Sequence, residues 1–268
     1  MTVMAVSPHP RTTICGVEFS CFDRLRAAQW LVDAALDGRG GYACVTGAHG
    51  IVLAQKDREF RNILNSANMN TLDGQPVVWI ARWWGIDAGR VTGRELVWDV
   101  VRQRGADEIR HVLFGATAHV TDRMVDRLRA NNSQIRVQAF NPPFGSLGDE
   151  ELTDFCSRIR TNDPTIVWVG LSTPRQERVA AVLSKQLVAM PVVAIGAGFD
   201  FVAGLKPVAP NIVTVLGLEW LFRLTNEPKR LFIRYMQVVP QFLVLLGREL
   251  LGGSLFARQQ KRPDAACE

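Results

Sequence analysis

Residues 165–196 read TIVWVGLSTPRQERVAAVLSKQLVAMPVVAIG, and this stretch decides the fold class. The first six residues are mostly apolar and rich in β-branched side chains, which predicts a buried strand over Thr165–Gly170. A helical pattern follows over Pro174–Val188, and a second apolar strand pattern follows over Val192–Ile195. Strands that alternate with helices in this way indicate a mostly parallel sheet.

The same alternation extends through most of the chain. Further buried strands are predicted at Tyr42–Thr46, Arg110–Phe114 and Ile135–Phe140. The helical patterns between the strands cover Ile51–Asn65, Val77–Trp84, Glu95–Arg104, Thr121–Ala130 and Asp149–Arg160. We therefore predict a Rossmann-like α/β fold, in which a mostly parallel sheet is flanked by helices on both faces. In such sheets ligands bind where loops leave the carboxyl ends of the strands.

The strand patterns stop near residue 205, which predicts a division of the chain. The predicted parts are an α/β core at 12–205, a helical basic and apolar appendage at 206–258, and disordered tails at 1–11 and 259–268. Within the appendage, apolar spacing from Val213 to Leu224 predicts one helix, and Pro228 is predicted to open another as a first-turn residue.

Composition indicates a folded protein of a reducing compartment. Hydrophobic residues make up 47% and charged residues 21%, which is ordinary for a soluble domain. The five cysteines are odd in number and form no CxxC pair, so a disulfide framework is not expected. No histidine stands at metal-ligand spacing from a cysteine, and we predict neither a metal site nor a cofactor. No signal-peptide pattern begins the sequence, which favours a cytoplasmic location.

The net charge of +5 is concentrated at the C-terminus. Residues 219–262 hold eight basic and three acidic side chains. The thirteen residues between Arg234 and Arg248 are strongly apolar, but a membrane-spanning helix needs about 20. We therefore predict that the protein touches a membrane surface without crossing it.

Two candidate motifs lie early in the sequence, one at the end of the first predicted strand and one around Asp73. Thr46 opens the glycine-containing turn at 46–50, which either binds an anionic ligand through backbone N–H groups or is an ordinary tight turn. Asp73 stands before a glycine and a helix that begins with proline. It is either a turn or N-cap aspartate, or a carboxylate at the sheet edge that takes a proton from a hydroxyl group.

Two further motifs follow the strands of the opening stretch. Gln176 and Glu177 lie in the first turn of a helix, where they bind a sugar or a base, or where Glu177 complements the helix dipole. Gly196 opens the segment GAGFDFVAG at 196–204, but its third glycine is misplaced for a dinucleotide fingerprint, and we exclude NAD. The sequence contains no Asp-x-Asp triplet, so we predict a mechanism without a metal–diphosphate clamp.

The basic residues of the appendage form a pattern of their own. Arg223, Arg230 and Arg234 are spaced seven and four residues apart. On a continuous helix they would share one side, although Pro228 would bend such a helix. Interleaved aromatic and aliphatic residues favour contact with an anionic lipid surface. A solvated charged face and a nucleic-acid site are the alternatives, and the high aliphatic content argues against nucleic acid.

In this order, the motifs resemble those of the WecG/TagA/CpsF glycosyltransferases (glycosyltransferase family 26). The resemblance covers about residues 14–236 and rests on TGAHG at 46–50, DGQPVVW at 73–79, PRQE at 174–177, GAGFDFVAG at 196–204 and GLEWLFRLTNEPKRL at 217–231. It implies an inverting, hexosyl-type transfer from a UDP-sugar to a saccharide on polyprenyl diphosphate at the inner face of a bacterial membrane. The products would be exopolysaccharide, capsule or teichoic acid.

The resemblance also implies roles for single residues. It places the catalytic base at Asp73, substrate contacts at Thr46 and Gln176, and lipid-diphosphate contacts at the arginines, which are Arg223, Arg230 and Arg234. This chain has Ala48 where many members have Asn, and we expect His49 to supply the missing contact.

The remaining expectations concern the donor and a rival function. We expect UDP to lie near the turns at Gly115 and Gly196, with Glu177 among the substrate-binding residues. The alternative is a membrane-associated scaffold that keeps the fold without the activity. The donor sugar stays open among N-acetylmannosamine, its uronic acid, glucose and glucuronic acid.

Overall fold

The structure, a computed structural model, describes residues 9–142 and 147–252. Its strands are β1 (Arg11–Ile14), β2 (Val17–Ser20), β3 (Gly41–Thr46), β4 (Met69–Leu72), β5 (Arg110–Gly115), β6 (Arg136–Phe140), β7 (Thr165–Gly170) and β8 (Pro191–Ala194). Its helices are α1 (Arg24–Leu36), α2 (Ala48–Lys56), α3 (Arg58–Ser66), α4 (Gln75–Trp83), α5 (Gly93–Val100), α6 (Ala118–Asn131), α7 (Asp149–Ile159), α8 (Arg175–Gln186), α9 (Gly198–Val202), α10 (Asn211–Val215), α11 (Glu219–Asn226) and α12 (Pro228–Gly252).

Strands β3 to β8 form one sheet in the order β4-β3-β8-β7-β5-β6, and every neighbouring pair is parallel. This confirms the predicted sheet. Side chains alternate between its faces, so Trp168 packs against the side of α1, α5, α6 and α9, while Val167 and Val169 pack against the side of α2, α3, α7 and α8. The sheet is therefore buried on both faces, as its apolar strands require.

The sequence patterns predict neither the β1–β2 hairpin nor α1. The two strands have four residues each, too few for a clear alternation. Their turn is formed by Cys15 and Gly16, whose positive φ angles of 50° and 75° suit a tight hairpin. Helix α1 buries a face made largely of alanines, which weakens its apolar periodicity, and Asp23 caps it by accepting from the N–H of Arg26 over 2.8 Å.

The prediction of one helix over Ile51–Asn65 is wrong, because the chain breaks at Asp57. This residue has an extended backbone (φ −128°), and its side chain accepts from the N–H of Phe60 over 2.9 Å. It therefore ends α2 and caps α3. Strand β4, which is also not predicted, contains buried polar side chains. Asn70 donates to the carbonyl oxygen of Glu18 over 2.8 Å, and this hydrogen bond joins the sheet to the hairpin.

The predicted helix from Val213 to Leu224 is also interrupted. Gly217 has a φ of +69° and separates α10 from α11. A Cβ at Gly217 would lie 2.5 Å from the ring of Trp79 on α4, so this turn packs closely against that side chain. Helix α12 begins at Pro228 as predicted, but the three arginines of the appendage do not share one continuous helix.

Helix α12 has three sides. Leu231, Val238 and Phe242 are buried, and α12 packs against α2. The apolar stripe, by which we mean Phe232, Met236, Val239 and Leu243, is 37–61% exposed. At 100° per residue, Arg230 and Arg234 point away from this stripe. Within 9–142 and 147–252, no helix is both long and apolar enough to cross a membrane.

The predicted tails fall largely outside the described residues. Residues 1–8 and 259–268 are outside them, as are residues 253–258 of the appendage. Arg11 begins β1, and His9 stacks on Phe22 with 4.5 Å between ring centroids. The described fold thus begins before residue 12.

Burial of His111 makes stability depend on pH. The Nδ1 atom of His111 accepts from Trp168 Nε1 over 3.1 Å, and burial, with a smaller effect of Arg136, lowers the pKa of this histidine from 6.5 to about 4. The unfolded chain thus binds a proton near pH 6.5 that the folded chain binds only near pH 4. The stabilisation is complete above pH 6.5 and is lost as the pH falls. We expect this residue to lower the free energy of unfolding by up to about 3 kcal/mol between pH 7 and 4.

Urea unfolding at a series of pH values measures this effect. His111→Asn keeps an acceptor for Trp168 but does not titrate, so its unfolding free energy should change less between pH 7 and 4 than that of the wild type. His119→Gln removes an exposed histidine and is the matched control. An equal pH dependence in His111→Asn and the wild type would contradict the role of His111.

Candidate active site

The carboxyl ends of the strands meet at one edge of the sheet, and predicted site residues lie there. Thr46 ends β3, and Asp73 follows the neighbouring strand β4. The backbone N–H of Asp73 donates to the carbonyl oxygen of Thr46 over 3.0 Å. A Cβ on Gly47 would lie 2.7 Å from the carbonyl oxygen of Asp73, so glycine is needed for this approach. The structure therefore brings Thr46 and Asp73 together.

The hydroxyl group of Thr46 has no hydrogen-bond partner among the described residues, although it is buried. A buried hydroxyl group is normally hydrogen-bonded, so an orphan at a sheet edge fits a ligand-binding role.

The carboxylate of Asp73 does not cap helix α4. The N-cap residue of α4 is Gly74, and within the described residues no hydrogen bond to the Asp73 carboxylate is found. Burial raises the pKa of Asp73 to about 6, while Arg223 and Arg90 act to lower it and Glu219 and Glu95 to raise it. A carboxyl group with this pKa is largely deprotonated at neutral pH and more basic than an ordinary aspartate.

Helix α11 is held beside Asp73 by an ion-pair network. Arg90 pairs with Glu219 over 2.7 Å and with Glu95 over 3.3 Å. Arg223 lies 3.3 Å from Glu219 without hydrogen-bond geometry, and its guanidinium carbon is 4.7 Å from the ring centroid of Phe201. The network places one of the predicted arginines within electrostatic reach of Asp73, and it ties the appendage to the core.

The other two predicted arginines approach from α12. Burial lowers the pKa of Arg234, and Arg230 and Arg223 add to this effect, so the three arginines act on one another. Arg230 pairs with Glu227, whereas Arg234 is half-buried and makes no ion pair within the described chain. Burial lowers the pKa of His49 as well, with a further contribution from Arg234. The structure thus groups His49 with the arginines.

Gln176 and Glu177 are buried at the start of α8. Glu177 Oε1 accepts from Thr173 Oγ1 over 2.8 Å and from Gln176 Nε2 over 3.0 Å. Burial raises the pKa of Glu177. A side chain this enclosed does more than complement the helix dipole, because it orients the amide of Gln176. The Oε1 atom of Gln176 has no hydrogen-bond partner among the described residues.

The two predicted glycines have different surroundings. Gly196 follows β8 with a φ of +51°, and a Cβ there would lie 2.6 Å from Gln176 Oε1. Gly196 therefore belongs to the same edge as Gln176. Gly115 ends β5 with a φ of +116°, and a Cβ there would lie 2.7 Å from the carbonyl oxygen of Gly170. Backbone packing between two strand ends accounts for glycine at this position, and its part in substrate binding stays a prediction.

Sequence reasoning missed Arg90, Glu95, Glu219 and Tyr235. Burial raises the pKa of Tyr235, and Arg223 and Arg234 oppose the shift, which places this phenol among the arginines. Arg90 and Glu219 are 129 positions apart in the chain, so no local pattern reveals their pairing. Within the described residues, no three His, Cys, Asp or Glu side chains are grouped in a way that would hold a metal ion.

Two relatives carry the same descriptive name, N-acetylglucosaminyldiphosphoundecaprenol N-acetyl-beta-D-mannosaminyltransferase. The protein of Bacillus spizizenii (strain ATCC 23059 / NRRL B-14472 / W23) is 24% identical over 191 residues, which cover 71% of this chain and 72% of the relative. The protein of Bacillus subtilis (strain 168) is 25% identical over 209 residues, which cover 78% and 80%.

The match to a family is more extensive. The model of the Glycosyl transferase WecG/TagA/CpsF family matches residues 12–255, a range that includes both the sheet edge with Asp73 and the arginines of the appendage. The chain therefore belongs to the WecG/TagA/CpsF family of glycosyltransferases.

Proposed function

We propose that this glycosyltransferase moves a sugar from a UDP-sugar, with inversion, to a saccharide on polyprenyl diphosphate during synthesis of a bacterial cell-surface polysaccharide. The observation that carries the proposal is the position of Asp73. Its carboxylate, without a hydrogen bond among the described residues, lies at the sheet edge within electrostatic reach of Arg223 from the appendage. The names of the two Bacillus relatives support an acceptor of this class.

Asp73 is the base in this proposal. An inverting transfer needs a group that removes the proton of the acceptor hydroxyl as this oxygen attacks the anomeric carbon. A carboxyl group with a pKa of about 6 accepts a proton more readily than an ordinary aspartate and is still largely charged at pH 7. Such assistance contributes about 10²–10⁴-fold to a rate.

Orphan polar atoms mark the donor side of the site. Thr46 Oγ1 and Gln176 Oε1 are buried and lack partners among the described residues, and sugar hydroxyls or a uracil ring would satisfy them. Glu177 holds the amide of Gln176 in place. His49 follows Ala48, which replaces the Asn of many members, and the proposal assigns the sugar contact of that Asn to His49.

The arginines serve the diphosphate groups. Guanidinium groups match phosphate oxygens with two parallel hydrogen bonds, and Arg234 is half-buried without an ion pair in the described chain. Positive charge at this place stabilises the leaving diphosphate, and the proposal assigns that task to arginines rather than to a metal ion.

The apolar stripe of α12 brings the enzyme to its lipid-linked acceptor. Its four side chains are exposed, and they face away from Arg230 and Arg234. A stripe of this kind binds at the headgroup–acyl boundary, while the other side of the helix stays available to the active site. We therefore propose a peripheral enzyme at the inner face of the cell membrane.

A donor panel tests the proposal. The purified protein is incubated with a polyprenyl-diphosphate-linked N-acetylglucosamine acceptor and, in turn, UDP-N-acetylmannosamine, its uronic acid, UDP-glucose and UDP-glucuronic acid. We expect release of UDP that depends on the acceptor with one of these donors, and no loss of rate when EDTA is added. Loss of the rate in EDTA would contradict metal independence. Absence of turnover with every donor would favour the scaffold function.

A further inference from the structure

A second cleft lies on the other side of the fold from α12. It has a volume of about 610 Å³ and is lined by α1, α5 and α6. The residues that matter for its chemistry are Arg24, Arg94, Glu95, Trp98, Arg102 and Arg127. Glu95 also pairs with Arg90 in the network beside Asp73, but none of the site residues predicted from the sequence lines the cleft. Its volume is typical of small-molecule sites, which are about 300–1,000 Å³.

Acidic neighbours neutralise only part of the positive charge. Arg24 pairs with Asp99 over 2.7 Å, and it lies 3.5 Å from Glu95. Arg94 lies 3.9 Å from Glu95, which also pairs with Arg90. Asp99 and Glu95 therefore pair with two arginines of the cleft, Arg24 and Arg94, and Glu95 is shared with Arg90 of the network beside Asp73.

Arg102 and Arg127 make no ion pair within residues 9–142 and 147–252. Arg102 lies over the ring of Trp98, with 5.5 Å between the guanidinium carbon and the ring centroid. The guanidinium group of Arg127 packs against the backbone of Gly204. A Cβ atom on residue 204 would lie 2.1 Å from Nη1 of Arg127, so only glycine leaves room for it. Two guanidinium groups without an ion pair in the described chain thus face one cleft, Arg102 from the turn after α5 and Arg127 from α6.

The position of the cleft favours a soluble ligand. Helices α1, α5 and α6 cover one face of the sheet, whereas α12 packs against α2 on the other face. A membrane in contact with the apolar stripe of α12 therefore lies on the other side of the sheet from the cleft. A phosphorylated lipid headgroup and a free phosphorylated molecule would bind arginines in the same way. The position of the cleft, on the side of the sheet away from the membrane, favours the free molecule.

We propose that the cleft binds a small soluble molecule with at least two phosphate groups. Guanidinium groups bind phosphate oxygens in pairs, and two separate guanidinium groups suit two linked phosphates better than one. Trp98 adds an aromatic wall beside Arg102. Arg102, Arg127 and Trp98 have no role in the sugar transfer proposed above, and the proposal rests on the proposed membrane contact of α12 only in the choice of a soluble ligand.

Titration calorimetry of the full chain with inorganic pyrophosphate tests this site. The double variant Arg102→Gln/Arg127→Gln should bind one pyrophosphate fewer than the wild type, or bind it at least about tenfold more weakly. Both side chains are exposed, so the variant should fold, and thermal unfolding checks this. The arginines of the active site remain and bind pyrophosphate equally in both proteins.

The double variant Arg104→Gln/Arg129→Gln is the control, since it removes the same charge from exposed positions that do not line the cleft. It should bind pyrophosphate like the wild type. Equal weakening in both double variants would overturn the proposal in favour of general charge attraction. Orthophosphate bound as tightly as pyrophosphate would overturn the two-phosphate class. Weaker binding of the cleft variant to phosphatidylserine vesicles, with unchanged pyrophosphate binding, would overturn it in favour of a lipid headgroup.

Discussion

Replacing Asp73 by Asn should lower the turnover number about 10²–10⁴-fold and leave the dissociation constant of UDP unchanged. The substitution keeps the shape of the side chain and removes its ability to take a proton. Asp73 makes no side-chain hydrogen bond within the described residues, so the loss of charge should not disturb the fold. Steady-state transfer with a polyprenyl-linked acceptor gives the rate, and calorimetry gives the binding of UDP.

Asp87→Asn is the matched control, because this exposed aspartate follows α4 and is not among the charges that act on Asp73. It should keep the wild-type rate. Turnover by Asp73→Asn within a few-fold of the wild type would show that another group acts as the base.

The pH profile offers a second readout of the same prediction. The base must be deprotonated, so kcat/KM of the wild type should rise as the pH increases through about 6 and then level off. Arg223 acts to lower the pKa of Asp73. Arg223→Gln should therefore move this rise to higher pH, in addition to any effect on substrate binding. A profile in Arg223→Gln that rises at a lower pH would contradict the assigned interaction.

Removing the apolar stripe should abolish membrane binding. In Phe232→Ser/Met236→Ser/Leu243→Ser, three side chains that are 55–61% exposed lose the area that would enter the lipid. Each contributes about 1–2 kcal/mol when it leaves water, so the partition coefficient onto anionic vesicles should fall by more than about 100-fold. Vesicle sedimentation measures this loss, and transfer to a short-chain, water-soluble acceptor should be affected far less.

Leu25→Ser/Val188→Ser is the control for this experiment. Both residues are exposed apolar side chains, at 65% and 74%, and neither belongs to the appendage. The control should bind vesicles like the wild type. If the stripe variant kept its vesicle binding but changed from a dimer to a monomer, the stripe would be an interface between two copies of the chain and the membrane assignment would be wrong.

The sequence predicts the parts of the fold whose signals are local. Buried parallel strands such as Thr165–Gly170 are continuous apolar runs, and these runs appear without any knowledge of neighbours. Elements that are stabilised by residues far away in the sequence cannot be predicted from such local patterns. Strand β4 contains Asn70, whose amide pairs with the hairpin 52 positions earlier, and α1 buries alanines that give little periodicity.

For the candidate site, sequence motifs identify Asp73, Gln176 and the arginines as polar residues at strand ends and in the appendage. Only the tertiary structure shows that Gly74 rather than Asp73 caps α4, and that burial raises the pKa of Asp73. It also shows that Arg223 of α11 acts electrostatically on this carboxylate, and that the turn at Gly217 before α11 packs on Trp79.

The sequence by itself therefore determined the fold class, the family resemblance and the residue types available for chemistry, because these depend on apolar periodicity and on the order of motifs along the chain. The tertiary structure alone decided which charges meet. Ion pairs such as Arg90–Glu219 and the opposed sides of α12 arise from packing between elements that are far apart in sequence. A pKa depends on burial and on nearby charge, and both exist only once the chain has folded.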